Sequence, residues 1–293
     1  MNLPGHATLD GTERYRKRFS EKLPESHFRQ AQTLWLSSIG LGTYLGNYDD
    51  ATDQQYHQAV VTAVGAGCNV VDSAINYRLQ RSERSIGRAL KELSSRGYNR
   101  DEIVVASKGG FIPYDGTPPK NPREYIEKTF ISTGLASSAE IVSGCHCMTP
   151  KYLLNQLECS LRNFDVETID IYYLHNPETQ LGKVSAEEFE SRVVNAFVAL
   201  EGAVDAGKIQ MYGMATWNCF RNDTDAKDYL SLTHVVELAE QAGGKNHHFK
   251  VIQLPLNLGM SEALSNANQP AHGHRHTVLE VAQDLGITVM CSA

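Results

Sequence analysis

Four side chains in this sequence are of the types that acid–base chemistry on a carbonyl needs: Asp72 and Tyr77 in VVDSAINYR, Lys108 closing EIVVASK, and His175 closing IDIYYLH. A tyrosine has an ordinary pKa of about 10, so it is a poor acid at neutral pH unless its anion is stabilised. A lysine about 4 Å away attracts that anion by roughly 4 kcal/mol at an effective dielectric of about 20, before desolvation is subtracted. An aspartate then keeps the lysine charged and oriented, and a histidine can hydrogen-bond the oxygen being reduced. Singly, each residue also has a structural explanation: Asp72 as a helix or turn cap, Tyr77 as a half-buried loop aromatic, Lys108 as a solvated strand end, His175 as a satisfied core histidine. What points to a site is that Asp72, Lys108 and His175 each stand last in an apolar run, with Tyr77 in the adjoining loop.

The elements that would position them follow from an alternation of short apolar runs with amphipathic stretches. The runs are 34–42, 68–72, 102–108, 169–175, 209–215, 250–256 and 287–293; helical patterns fill 53–66, 82–95, 150–163, 186–206, 228–242 and 275–285. Strands alternating with helices imply parallel pairing through right-handed crossovers. A doubly wound sheet and a (β/α)8 barrel both fit. GLGTYLG (40–46) only approximates a dinucleotide fingerprint, because NYDDATDQQ follows it rather than an immediate helix. A barrel brings every strand's C-terminal end to one mouth, which suits ionisable residues at three strand ends. The fold expected is therefore α/β of the (β/α)8 TIM-barrel type, with seven barrel strands evident and the eighth βα unit missing. Residues 1–33 read as an N-terminal extension able to carry a small hairpin or to stay partly disordered, and 34–293 as the barrel. Residues 109–149 form a long mouth loop with local helix around 122–131.

The segments LGTY, NVVDSAINY, VVASK, SLRNFDVETIDIYYLHNPE, GKIQMYGMATWN and VIQLPLN, in this order over residues 34–293, resemble the aldo-keto reductase family. The resemblance implies Tyr77 as general acid, Lys108 and Asp72 as the groups that tune it, and His175 as the residue that orients the carbonyl. It also implies NADP(H), with NAD(H) left open, bound across a barrel mouth by Thr43, Asp72, Thr216, Asn218 and Gln253. The expected partner is a small-molecule carbonyl substrate. The alternative it carries is a non-catalytic or regulatory barrel subunit with weak or no cofactor binding.

Several positions depart from the family's pattern. Arg78 stands where a glycine often follows the tyrosine, MATWN replaces a Ser-Asn pair, and Asn176 replaces a tryptophan. ITVMCSA corresponds to the seventh strand and nothing follows it, so a truncated version of a longer polypeptide is expected, with self-association through the open edge as a consequence.

Composition excludes other classes. With 293 residues, 41% hydrophobic and 21% charged, the chain is of ordinary globular type, and a net charge of −7 leaves no basic footprint for nucleic acid. No run of about 18 apolar residues suggests a membrane span, and no signal of the usual secretory form opens the chain, so a cytoplasmic setting is the default. Six scattered cysteines read as reduced thiols. CHC at 145–147 lacks a second ligand pair at finger-like spacing, so no metal is expected. Glu178 could suggest a glycosidase acid, but a Tyr-Lys pair beside the second carboxylate, Asp72, is not what that hydrolysis requires. Trp217 reads as a pocket or cofactor-stacking aromatic, with core packing nearly as good.

Overall fold

The computed structural model describes residues 2–293. Helix α1 (Leu9–Arg18) is capped by the Thr8 hydroxyl, which accepts from the Gly11 N–H. Tyr15 on this helix is wholly buried and donates to the Val64 carbonyl. Arg14 and Arg18 both close on Glu102, itself buried, at 2.7 and 2.8 Å. That docking orders a segment whose polar composition left its state open.

The apolar run 34–42 divides in two. Gln32 and Thr33, with φ of 46° and 71°, reverse the chain between β1 (Phe28–Ala31) and β2 (Leu34–Ser37), which pair antiparallel as a two-residue hairpin does. At Ser37 side-chain bonding takes over from the ladder: its N–H donates to Asn69 Oδ1 at 2.8 Å and its hydroxyl to the Ile39 carbonyl at 2.7 Å. Only Leu41–Gly42 (β3) of that run joins the main sheet.

The chain continues through α2 (Asp50–Gly65), β4 (Val70–Asp72), α3 (Arg81–Ser95), β5 (Val104–Gly109), α4 (Pro122–Ile126), α5 (Pro150–Phe164), β6 (Ile169–His175), α6 (Ala186–Asp205) and β7 (Ile209–Ala215). After these come α7 (Leu232–Gly243), β8 (Phe249–Pro255), α8 (Glu262–Ser265), β9 (Gln269–Ala271), β10 (His274–His276), α9 (Val278–Asp284) and β11 (Thr288–Ser292). Helix α2 starts three residues earlier than its apolar period, because Asp49 caps it by accepting from the Thr52 N–H and its first turn is polar. Residues 269–276, expected as a loop, form the β9–β10 hairpin.

Seven strands make one α/β sheet in the order β3-β4-β5-β6-β7-β8-β11, with parallel register at β3/β4, β4/β5, β7/β8 and β8/β11. Chain order and spatial order coincide. A doubly wound sheet would reverse order at a switch point, so the barrel-type winding is the one adopted. Among the described residues no helix is long and apolar enough to cross a membrane.

The chain divides into two compact units: one holds residues up to Tyr125 with Asn155–Tyr172 and Gly207–Gln210, the other Ile126–Leu154, Tyr173–Ala206 and Met211–Ala293. In the first, Val60 and Val64 of α2, Ile86, Leu90 and Leu93 of α3, and Val104 and Val105 of β5 are buried. In the second, the rings of Phe197, Tyr212 and Phe249 pack with centroids 5.2 to 5.9 Å apart. Fully burying side chains of this size contributes roughly 1.5–3 kcal/mol each.

Candidate active site

In the first unit, β4 ends at Asp72 and the next residues stay bonded to β5: Ser73 N–H donates to the Ala106 carbonyl at 3.0 Å and Ile75 N–H to the Lys108 carbonyl at 3.3 Å. The segment leading to Tyr77 is thereby fixed against the strand that carries Lys108. All six residues of β5 are buried, and Lys108 is 1% exposed. Its ammonium donates to Asp72 Oδ2 at 2.6 Å and to the Ser73 carbonyl at 2.7 Å, and it lies 4.9 Å from the centroid of the Tyr77 ring. Burial alone would lower the Lys108 pKa; attraction to Asp72 and Tyr77 outweighs it, and the pKa is raised. Gly109 follows, and a Cβ there would meet the Tyr172 hydroxyl at 2.4 Å.

The phenol of Tyr77 is shifted the opposite way from the sequence expectation. Burial pushes its pKa up; Lys108 pulls it down and Asp72 pushes it up again, and the balance is a raised pKa. Tyr44 meets the Tyr77 ring edge-on at 5.0 Å. Thr43, a candidate cofactor ligand, uses its hydroxyl internally, with Asp72 O at 3.1 Å and Ser73 Oγ at 2.9 Å.

Two residues that the sequence did not mark hold this group in place. Arg78, Leu79 and Gln80 all have positive φ, at 47°, 59° and 69°, a left-handed turn that costs non-glycine residues roughly 1–2 kcal/mol each. Arg78 offsets that cost. Its buried guanidinium donates to the Asn47 carbonyl at 2.9 and 2.6 Å and to Asp53 Oδ1 at 2.7 Å, and lies 5.0 Å from the centre of the Tyr56 ring. Its replacement of the family's common glycine was the one available signal. Glu83, wholly buried on α3, accepts from the Ser107 hydroxyl and from Asn163 Nδ2 at 2.8 Å, and burial raises its pKa.

In the second unit, His175 ends β6 and is 7% exposed. Asn176 adopts the left-handed conformation (φ 45°, ψ 57°) and donates its N–H to the Ala215 carbonyl at 2.7 Å. Glu178 spends Oε1 on the N–H groups of Trp217 (2.6 Å) and Asn218 (3.3 Å), and burial raises its pKa. This carboxylate therefore acts as a cap on the 216–218 turn. Trp217 is 48% exposed, which removes the core-packing explanation.

The cofactor residues expected here differ in availability. Asn218 Nδ2 is engaged by Asp228 at 3.3 Å. Thr216 N–H donates to the Gln253 carbonyl at 2.8 Å, and Gln253 is buried near the end of β8. The Thr216 hydroxyl is buried and orphaned apart from a weak interaction with the Cys219 thiol. A buried hydroxyl lacking a strong partner, with the amide of Gln253 on the neighbouring strand, fits the carboxamide of a nicotinamide. Within each unit, then, the structure brings Asp72, Tyr77 and Lys108 together, and joins Thr216 to Gln253 through the backbone.

Comparison with known proteins agrees with this geometry. The family model "Aldo/keto reductase family" matches residues 38–228. Aldo-keto reductase yakc [NADP(+)] of Schizosaccharomyces pombe is 29% identical over 167 residues, which cover 56% of this chain and 37% of that protein. Aldo-keto reductase YhdN of Bacillus subtilis is 26% identical over 191 residues, 64% of this chain and 46% of its own. The chain thus spans less than half the length of either curated relative. Among solved structures, an aldo/keto reductase from Klebsiella pneumoniae in complex with NADP and acetate superposes with a TM-score of 0.55 at 20% identity, covering 92% of this chain and 68% of that one. The matched span runs from the approach to β3 through β7 and contains Asp72, Tyr77, Lys108 and His175, and with its seven consecutive parallel strands the chain belongs to the aldo/keto reductase family.

Proposed function

We propose that this chain is an NADP(H)-dependent oxidoreductase that reduces the carbonyl of an aldehyde or ketone and, in reverse, oxidises an alcohol. The observation that carries the reading is Lys108, a buried ammonium gripped by Asp72 and the Ser73 carbonyl beside the Tyr77 ring. Family membership and relatives named for or bound to NADP support the choice of cofactor.

When bound, the nicotinamide supplies the hydride; the chain's own part is the proton. Tyr77 donates its O–H to the carbonyl oxygen as charge develops there. A raised pKa suits that duty, because the phenol keeps its proton at neutral pH until a more basic oxygen forms beside it. Lys108 then stabilises the phenolate left behind, and Asp72 keeps Lys108 charged and aimed. His175 is assigned the hydrogen bond that orients the carbonyl. Asp72, Thr216 and Gln253 are assigned the nicotinamide end of the cofactor, while Thr43 and Asn218 brace the segments that carry them.

The test pairs an NADPH fluorescence titration with NADPH-dependent reduction of a panel of aldehydes and ketones. Tyr77→Phe is expected to reduce turnover about 10²- to 10⁴-fold with cofactor affinity unchanged. Full retention of activity would sink the acid role. Absence of any quenching in the wild type would replace this reading with that of a non-catalytic barrel subunit.

A further inference from the structure

His146, from the CHC segment weighed above as a metal motif, is wholly buried in the second unit. Its two ring nitrogens meet the two ends of the turn that follows β6. Nε2 stands 2.8 Å from the carbonyl oxygen of His175, and Nδ1 stands 3.0 Å from Nε2 of Gln180. The direction of each bond can be assigned by starting from a group that can only donate. Arg192 is such a group, and its Nη1 lies 2.9 Å from Oε1 of Gln180. The amide oxygen therefore faces the guanidinium and the amide nitrogen faces His146. An amide nitrogen donates and does not accept, so Nδ1 of His146 is the acceptor and the ring proton sits on Nε2, donating to the His175 carbonyl. Arg192 is itself held by Glu188 at 2.6 Å.

From this chain of bonds we propose that His146 is a positioning residue for His175: a tautomer-locked imidazole that ties the first and last residues of the 175–180 turn and so fixes the strand end. The proposal takes its catalytic meaning from the reading of His175 given above, and its geometry from the second unit alone. The turn needs such a clamp, because Asn176 sits in the left-handed region and Pro177 behind it has no N–H to donate. Burial holds His146 at a pKa of about 4, below the ordinary imidazole value, so the ring is neutral under physiological conditions and both bonds persist. Replacing the ring removes two tethers at once, and a small displacement of a group aimed at a reacting atom lowers rate without touching cofactor affinity.

The test uses the full chain labelled with ¹⁵N at histidine and long-range ¹H–¹⁵N correlation spectra. His146, assigned by its disappearance in His146→Gln, is expected as the pure Nε2–H tautomer, unchanged from about pH 8 to about pH 5. The Nδ1–H tautomer, or titration close to the ordinary imidazole pKa of about 6.5, overturns the proposal. Arg192→Met, altered at a partly exposed side chain, frees the Gln180 amide to rotate and is expected to give mixed tautomers; a pure Nε2–H signal there also overturns the assignment. In His146→Ala of unchanged circular dichroism, the His175 resonances are expected to shift or broaden, and unmoved resonances defeat the clamp. In the same variant kcat for carbonyl reduction is expected to fall about 10- to 100-fold with KM for NADPH unaltered; a kcat left at the wild-type level denies His146 its positioning role. Should the wild type reduce no carbonyl, the reductase reading fails, and the spectra alone still decide the clamp.

Discussion

The ends of β5 and β6 hold their candidate groups by opposite means. At β5 the contacts are between ionised groups: Lys108 is buried with its charge, and Asp72 supplies the opposite one at 2.6 Å. At β6 the imidazole that grips the His175 carbonyl is neutral, and its donor and acceptor pattern is set two bonds away by Arg192. The difference matches the proposed duties. A phenol that releases and recovers a proton needs a neighbour whose charge responds to that change, whereas a residue that must only stay aimed is served by neutral bonds that neither salt nor a moderate pH change disturbs.

The sharpest way to break this contrast is Lys108→Met. Removing one member of a buried pair leaves the other desolvated without its counter-charge, a loss of about 3–5 kcal/mol. Asp72 keeps 20% of its side chain exposed, so the lower end of that range is expected. Urea denaturation at neutral pH measures it. A loss below about 1 kcal/mol would show a pair screened like one on the surface, and β5 would no longer differ in kind from β6.

The second test concerns pH. In the folded chain His146 has a pKa of about 4, against an ordinary value of 6.5. A base whose folded pKa is depressed contributes its full stability above the unfolded pKa and loses it as pH falls through the folded one. Between pH 6.5 and about 4 the wild type should therefore lose roughly 3 kcal/mol relative to His146→Gln, in which this group cannot titrate. Unfolding curves for the two proteins over that interval check it, with all other carboxylates and histidines common to both. A constant difference would mean that His146 is protonated as easily in the folded chain as in the unfolded one.

These two regions were unequally legible in the sequence. Asp72, Lys108 and His175 could be found because an apolar run that stops at an ionisable residue marks a strand end, and the direction of a parallel sheet does the rest. The neighbours that determine their behaviour could not. His146 is 29 residues from His175 and Gln180 is 34 from His146, and no periodicity links them. The left-handed turn of Arg78, Leu79 and Gln80 contradicts local preference and exists because Arg78 reaches back 31 residues to the Asn47 carbonyl. The same limit explains the sign of the Tyr77 shift. The attraction of Lys108 follows from residue types, but the burial that outweighs it belongs to the tertiary structure. For the same reason a run of apolar residues at 34–42 gave no warning of the hairpin that claims its first half.

The smallest expected effect separates holding a site together from serving a ligand. Thr216 carries a buried hydroxyl with no strong partner, and an unmade hydrogen bond of this kind is a standing cost to the fold. Thr216→Val keeps the shape and removes the polar atom. Stability should rise by about 1 kcal/mol, because the transition to the unfolded state no longer rewards the hydroxyl with water. If that hydroxyl serves the nicotinamide, NADPH affinity should fall about tenfold in the same variant, a loss of similar size and opposite direction. Neither Lys108→Met nor the pH titration of His146 can produce this pairing, since both remove contacts that the folded chain already makes. Thermal denaturation and fluorescence titration on one preparation decide it. A gain in stability with unchanged affinity would mean that the orphaned hydroxyl answers to no ligand, and would confine the cofactor reading to Asp72 and Gln253.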